Sequence, residues 1–215
     1  MPVHILIVEN HTVMYEGLQI LLESEADFKV VAHAKNGHEA VEMSKQFTPD
    51  VVIMDVDLPE KNGILATKEI CLENPDCKVM GFSMLTANQF VTGMFEVGAC
   101  GFVPKESAFE ELVSAIRVVL KGQVYLSPAI SKTVLTHYLT NRGKGNSDAA
   151  TVLSDREKEV LQLIAEGMPS KAIAEKLYVS TNTIIRHRQN IMNKLELHNV
   201  AELTRYAVRE GFIHA

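Results

Sequence analysis

Two rhythms of apolar and polar positions divide this chain. Up to about residue 120, short apolar runs at 4–8, 28–34, 51–55, 78–82 and 101–103 alternate with stretches whose apolar positions recur every three or four residues. Continuous apolar runs mark strands buried on both faces, and the longer spacing marks amphipathic helices. The pattern predicts five strands with helices near 12–24, 36–47, 62–74, 86–97 and 106–121, with Gly37, Gly63 and Gly98 near their ends. Such alternation builds an α/β, doubly wound (βα)5 domain around a parallel five-stranded sheet.

The second rhythm is purely helical. Beyond Gly122 the sequence predicts a helix near 128–140, opened by Ser127-Pro128, and then a linker in the Gly/Asn/Ser/Lys-rich stretch 141–148. Residues 153–211 read as four helices, a small all-α helix-turn-helix domain. Ser154 and Glu157 have capping-box spacing at the start of the first, and Gly167 ends it. Ile173, Ala174 and Leu177 form the inward side of the second, and a tight turn at 178–180 leads to a third helix over 181–195. The expected organisation is 1–121, a linker with a helix over 122–151, and 152–215.

Charge sharpens that division. The 215-residue chain carries net −6, yet residues 151–215 hold 9 basic and 8 acidic residues, leaving 12 basic and 19 acidic in the first 150. An acidic part and a locally basic part suggest two tasks. The composition, 47% hydrophobic and 22% charged, is that of a globular protein. Cys71, Cys77 and Cys100 lack metal or redox spacing and read as buried thiols in a reducing compartment. No apolar run reaches the roughly 18 residues of a membrane span and no signal-type segment is present, so a cytoplasmic protein without membrane contact is expected.

In doubly wound sheets ligands gather at the carboxyl edge of the strands. Glu9, Asn10, Asp55, Ser83 and Lys105 all fall at that edge. Singly, each has a bland reading as a turn or solvated residue; five at one edge point to chemistry. An aspartate accepts a phosphoryl group when a divalent cation neutralises the pocket and hydroxyl or cationic groups receive the oxygens. Asp55 is the candidate nucleophile. Glu9, Asn10, Asp55 and the Asp57 backbone carbonyl are candidate magnesium ligands, and Ser83 and Lys105 candidate phosphoryl contacts.

The stretches Ile5-Leu6-Ile7-Val8-Glu9-Asn10-His11, Pro49 to Asp55 with Pro59 and Gly63, Gly81-Phe82-Ser83-Met84 and Gly98 to Lys105 resemble the receiver domain of two-component response regulators. The resemblance covers residues 3–121. It implies that a sensor histidine kinase phosphorylates Asp55, that Ser83 and Phe102 are the switch hydroxyl and switch aromatic, and that Lys105 contacts the phosphate. The departure is Asn10, where the family places a second carboxylate; an amide there weakens the attraction for magnesium. Asp55-Val56-Asp57, Ser83 and a lysine also resemble aspartate-phosphate phosphohydrolases. Against that stand the motif's place on the third strand and the lack of a paired acidic motif after the lysine.

The third C-terminal helix carries Arg186, His187, Arg188 and Lys194 and no acidic residue, with Ile184, Ile191 and Leu195 as its buried stripe. That suits a helix in the major groove, although a basic face is otherwise often only solvated. The spaced positions from Leu153-Ser154 through Lys194-Leu195 resemble the LuxR-type DNA-binding domain of the NarL/FixJ family. The resemblance implies that Ile185, Arg186 and Gln189 face bases, and that Lys171, Thr181, Thr183, His187, Arg188 and Lys194 serve phosphate and scaffold. Ile185, where many relatives have a basic residue, favours contact with a thymine methyl. The fourth helix, 199–209, is the family's usual dimer surface. A homodimer on double-stranded DNA, controlled by Asp55, is expected; the alternative is a regulator that binds DNA whatever the state of Asp55. Neither reading makes the chain an enzyme.

Overall fold

The structure is a computed structural model and describes residues 2–141, 153–195 and 197–213. The chain divides into two units, Met1–Arg142 and Gly143–Ala215. Most of the expected linker stretch, 142–148, lies outside the described residues.

The first unit runs β1 (Val3–Val8), α1 (Thr12–Glu23), β2 (Phe28–Ala34), α2 (Gly37–Phe47), β3 (Val51–Met54), α3 (Gly63–Glu73), β4 (Lys78–Ser83), α4 (Asn88–Glu96), β5 (Gly101–Pro104), α5 (Phe109–Val119), β6 (Tyr125–Leu126) and α6 (Pro128–Asn141). All strand pairs are parallel, in the order β2-β1-β3-β4-β5-β6. Every residue of β3 and β5 is buried, as expected for strands covered on both faces. On one face Leu18 and Leu22 of α1 and Leu112 and Ile116 of α5 pack over Ile5, Ile7 and Ile53. On the other, Val41, Ile70, Val91 and Met94 cover Leu6, Val8, Val52 and Met54.

The sheet has six strands where five were expected. Tyr125–Leu126 pairs with Gly101 and Phe102 of β5 through backbone hydrogen bonds, and two residues leave no periodic trace in a sequence. Helix α6 follows, and its Ile130, 5% exposed, joins the core that holds Phe90 and Met94. Residues 122–141, expected as part of a linker, are therefore built into the first unit. The thiols also differ from expectation: Cys77 is buried, but Cys71 and Cys100 are only half-buried. All three are free. Burial pushes Cys77 up to about 12 and Cys100 up to about 11, which keeps both protonated and unreactive at neutral pH.

Strand order reverses between β1 and β3, the first leading to β2 on one side and the second to β4 on the other. That switch point opens a crevice at the carboxyl ends of β1 and β3, where Glu9 and Asp55 stand. The chain then turns back tightly. Asn62 caps α3 by accepting from the Leu65 N–H, and Gly63 donates its N–H to the Val56 carbonyl at 3.0 Å. A Cβ on Gly63 would lie 2.1 Å from the Asp55 carbonyl oxygen, so only glycine lets α3 start this close to the aspartate.

Among the described residues the second unit holds α7 (Asp155–Ala165), α8 (Ser170–Lys176), α9 (Thr181–Leu195) and α10 (Val200–Arg209). Val160, Leu161, Leu163, Ile173, Ile184, Ile191, Leu203 and Ala207 form its core, all buried. The expected capping box is present: Ser154 accepts from the Glu157 N–H, and Glu157 accepts from the Ser154 N–H. Between α8 and α9, Tyr178 turns the chain in the left-handed region, φ 54°, and Val179 donates its N–H to the Ala174 carbonyl at 3.0 Å. No helix among the described residues is long and apolar enough to cross a membrane.

Candidate functional site

The backbone ladders deliver the site residues. Pairing runs one residue past β3 and β5, so that the Asp55 N–H donates to the Val8 carbonyl at 3.0 Å and the Lys105 N–H to the Ser83 carbonyl at 3.1 Å. Side chains on three strand ends then converge on one buried carboxylate. Asp55 Oδ1 accepts from Ser83 Oγ at 2.7 Å and from the Asp57 N–H at 3.2 Å, while Oδ2 accepts from Lys105 Nζ at 2.6 Å. The same ammonium lies 2.6 Å from Glu9 Oε2. Glu9 and Asp55 are 1% and 3% exposed, and the Lys105 side chain 5%.

One ammonium shared by two buried carboxylates does not repay the desolvation of both. Burial accordingly lifts the Asp55 carboxyl above the usual carboxylate range, against the pull of Lys105 and Ser83. Burial disfavours the Lys105 charge too, but Asp55 and Glu9 outweigh it and hold the ammonium above the ordinary lysine value. The pocket is thus short of positive charge, the condition under which a further cation binds favourably. Glu9, His11 and Asp55 each offer a ligand atom within 4.8 Å of the others. Carboxylate oxygens, an imidazole nitrogen and the buried Asn10 Oδ1, which meets no hydrogen-bond partner among the described residues, fit a divalent metal.

Each expected residue has a place in this arrangement. Asp55, Ser83 and Lys105 form one hydrogen-bonded group, and Glu9 joins it through the ion pair of its Oε2 with Lys105. Asn10 is half-buried beside it, and its Oδ1, shut off from solvent, meets no hydrogen-bond partner among the described residues. The Asp57 side chain is exposed. Phe102 is fully buried; its ring fills the space over Gly81, where an added Cβ would come within 2.6 Å of it. His11 was not singled out in the sequence as a site residue, yet its Nδ1 lies 2.8 Å from Glu9 Oε1, which also accepts the His11 N–H at 2.9 Å. Next to it, an apolar cleft lined by Met14, Leu18, Leu21, Phe82 and Phe109 opens beside Lys105.

In the second unit α9 buries Ile184 and Ile191 and turns outward Thr181, Ile185 (45% exposed), Arg186 and Gln189. His187 and Arg188 are half-buried, and Lys171 on α8 is exposed. Two expected contact residues are engaged internally. Thr183 hydrogen-bonds Ser180 through its hydroxyl at 2.8 Å, and Lys194 Nζ lies 2.6 Å from Glu157 Oε2, tying α9 to the capping box of α7. On α10, the exposed Val200 and Val208 lie two turns apart on one stripe with Thr204.

The Glu157 cluster gives a pH prediction. Burial works to raise this carboxyl, but Lys194 and Ser154 outweigh it and hold Glu157 below its ordinary 4.5. A depressed folded value contributes stability that is complete above 4.5 and is lost as pH falls through the folded value. The difference in urea midpoint between the wild type and Lys194→Met is therefore expected to be full at neutral pH and to shrink under acid. A difference that does not change with pH would remove the pair as its source.

Comparison with known proteins matches these two sites to two families. Residues 5–117 match the response regulator receiver domain, and residues 151–207 the bacterial regulatory proteins of the luxR family. The chain is 35% identical to the oxygen regulatory protein NreC of Staphylococcus carnosus, over 97% of this chain and 98% of that protein. It is 30% identical to the transcriptional regulatory protein DegU of Brevibacillus brevis, over 98% and 95%. A two-component response regulator of the LuxR family from Aurantimonas sp. superposes with a TM-score of 0.62 at 34% identity, covering 65% of this chain and 99% of that one. With both matches in order along one chain, and relatives aligned over nearly its whole length, the chain belongs to the response regulators that carry a LuxR-type DNA-binding domain.

Proposed function

We propose that this chain is a cytoplasmic transcriptional regulator whose DNA binding is switched by phosphorylation of Asp55 by a sensor histidine kinase. The observation that carries the reading is the buried Asp55 carboxylate, with Ser83 Oγ on one oxygen and Lys105 Nζ on the other. Asp55 is the nucleophile: its oxygen forms the bond to phosphorus as the bond to the kinase phosphohistidine breaks. Ser83 and Lys105 are placed to follow the new phosphoryl oxygens, and Phe102, behind Gly81, is placed to follow Ser83. A bound magnesium ion would neutralise charge on the phosphoryl group, held by Glu9, Asp55, the Asp57 carbonyl and, more weakly, Asn10. The exposed apolar residues Val13 and Ile20 of α1, beside the cleft near Lys105, suit a docked kinase helix.

The output is read by α9, with Ile185, Arg186 and Gln189 toward base edges and Lys171, Thr181, His187 and Arg188 toward phosphates. Thr183 and Lys194 act here as scaffold. Few side chains per module reach bases, so a homodimer on paired half-sites is required for tight binding, and the Val200–Val208 stripe supplies a surface for it. The reading assigns the chain no turnover of small phosphate esters, because its aspartate lies on the third strand of a regulator's sheet. A second reading, DNA binding whatever the state of Asp55, is favoured by one observation: an amide stands where the pocket calls for a charged ligand, at Asn10.

Titrating operator-like duplex DNA before and after treatment with a small phosphoryl donor separates the two: the switch predicts tighter binding after treatment, the second reading no change. Within that assay, Arg188→Ala should weaken binding to all sequences and lower its salt dependence by about one counterion, whereas Arg186→Ala should change preference at one base pair, by about 1–3 kcal/mol. If neither change affects binding, α9 does not enter the groove.

A further inference from the structure

We infer that His11 is a metal ligand of this site, and that the site prefers a first-row transition divalent cation to magnesium. The inference rests on the reading of the Asp55 pocket as a cation site and concerns which ion it takes. Three observations converge. The amide of Asn10 leaves the cation site with fewer anionic oxygens, and hard magnesium loses most by that exchange. His11 brings an imidazole nitrogen to the same place, within 4.8 Å of ligand atoms of both Glu9 and Asp55. Finally, the 2.8 Å between His11 Nδ1 and Glu9 Oε1 is also the edge of an octahedron whose ligands lie at about 2.0 Å, so both atoms can bind one ion with little movement.

The hydrogen bond from His11 to Glu9 explains the geometry of the pair, but a hydrogen bond alone predicts no ion preference. A coordinating imidazole does, because nitrogen donors suit transition ions, whereas magnesium keeps oxygen ligands and water. The imidazole is also free to approach: the His11 side chain is 70% exposed, while Glu9 behind it is 1% exposed. His33, a further imidazole close to Glu9, is already committed, with Nε2 at 2.8 Å from the Glu9 carbonyl oxygen and its ring stacked on Tyr15.

The experiment uses the full chain at one fixed pH, titrated with MnCl2 and with MgCl2 by calorimetry, together with pulsed electron paramagnetic resonance of the bound Mn2+. The wild type is expected to bind Mn2+ at least about tenfold more tightly than Mg2+ and to show the modulation of a directly bound imidazole nitrogen. In His11→Ala that modulation should vanish and Mn2+ affinity fall about tenfold, with Mg2+ affinity changed less than about twofold. His33→Ala should leave the nitrogen signal in place. An Mn2+ to Mg2+ ratio unchanged by His11→Ala, a bound ion without nitrogen modulation, or no binding of either ion overturns the inference. None of these readouts needs phosphorylation: nitrogen-bound Mn2+ in a chain that no donor phosphorylates would uphold the ligand and reject the proposed switch.

Discussion

Asp55→Ala is expected to abolish acyl-phosphate formation from a small phosphoryl donor, with labelling falling to background. Asn10→Asp is expected to do the opposite at low magnesium. Adding a full negative charge about 4 Å from a divalent ion contributes up to about 8 kcal/mol at the effective dielectric of a partly buried site, most of which the desolvation of carboxylate and ion offsets. A remainder of about 1–3 kcal/mol moves the half-saturating magnesium concentration down by about ten- to a hundredfold. Mass spectrometry of the intact chain against magnesium concentration measures both. Labelling that survives Asp55→Ala would place the phosphoryl group elsewhere, and a magnesium curve that Asn10→Asp does not shift would mean that Asn10 takes no part in holding the ion.

The second large effect is expected at Gly63, a residue that touches no ligand. Alanine there would put a methyl group 2.1 Å from the Asp55 carbonyl oxygen and 2.9 Å from Val56 Cα, both backbone atoms that cannot rotate away. Either α3 retreats or the Asp55 loop does. The strain should cost about 3 kcal/mol or more, the scale of overpacking in a well-packed core, and lower the midpoint of thermal unfolding by about 10 °C. Calorimetry of the variant checks it. Gly17→Ala is the control: it lies inside α1 with nothing within 4 Å of its added Cβ, and should stabilise by up to about 1 kcal/mol through helix propensity. Equal midpoints for the two variants would sink the argument.

The parts of this molecule that were legible in its sequence are those with a repeating physical cause. Strands β1, β3, β4 and β5 are buried on both faces and so could be read as apolar runs, and the edge on which Glu9, Asp55, Ser83 and Lys105 meet follows from parallel strands pointing one way. The capping box at Ser154 was visible because its partners are three residues apart. What stayed hidden depends on long-range meetings or on loop conformation. Lys194 reaches Glu157 across 37 residues, which no helical period reveals. His11 approaches Glu9 only because the chain bends between β1 and α1, and in the sequence it was one more polar residue after a strand. The partial exposure of Cys71 and Cys100 likewise follows from how α3 and β5 pack, which composition does not record.

The short strand β6 and the helix after it also decide what can be cut from this protein. A fragment ending at residue 121 would strip Tyr125–Leu126 from β5 and Ile130 from its place beside Phe90. It would then display a bare sheet edge together with an uncovered apolar patch, the combination that invites one chain to pair with the next. A fragment that keeps α6 retains both covers, and residues 122–141 act as a hem along the fabric of the sheet.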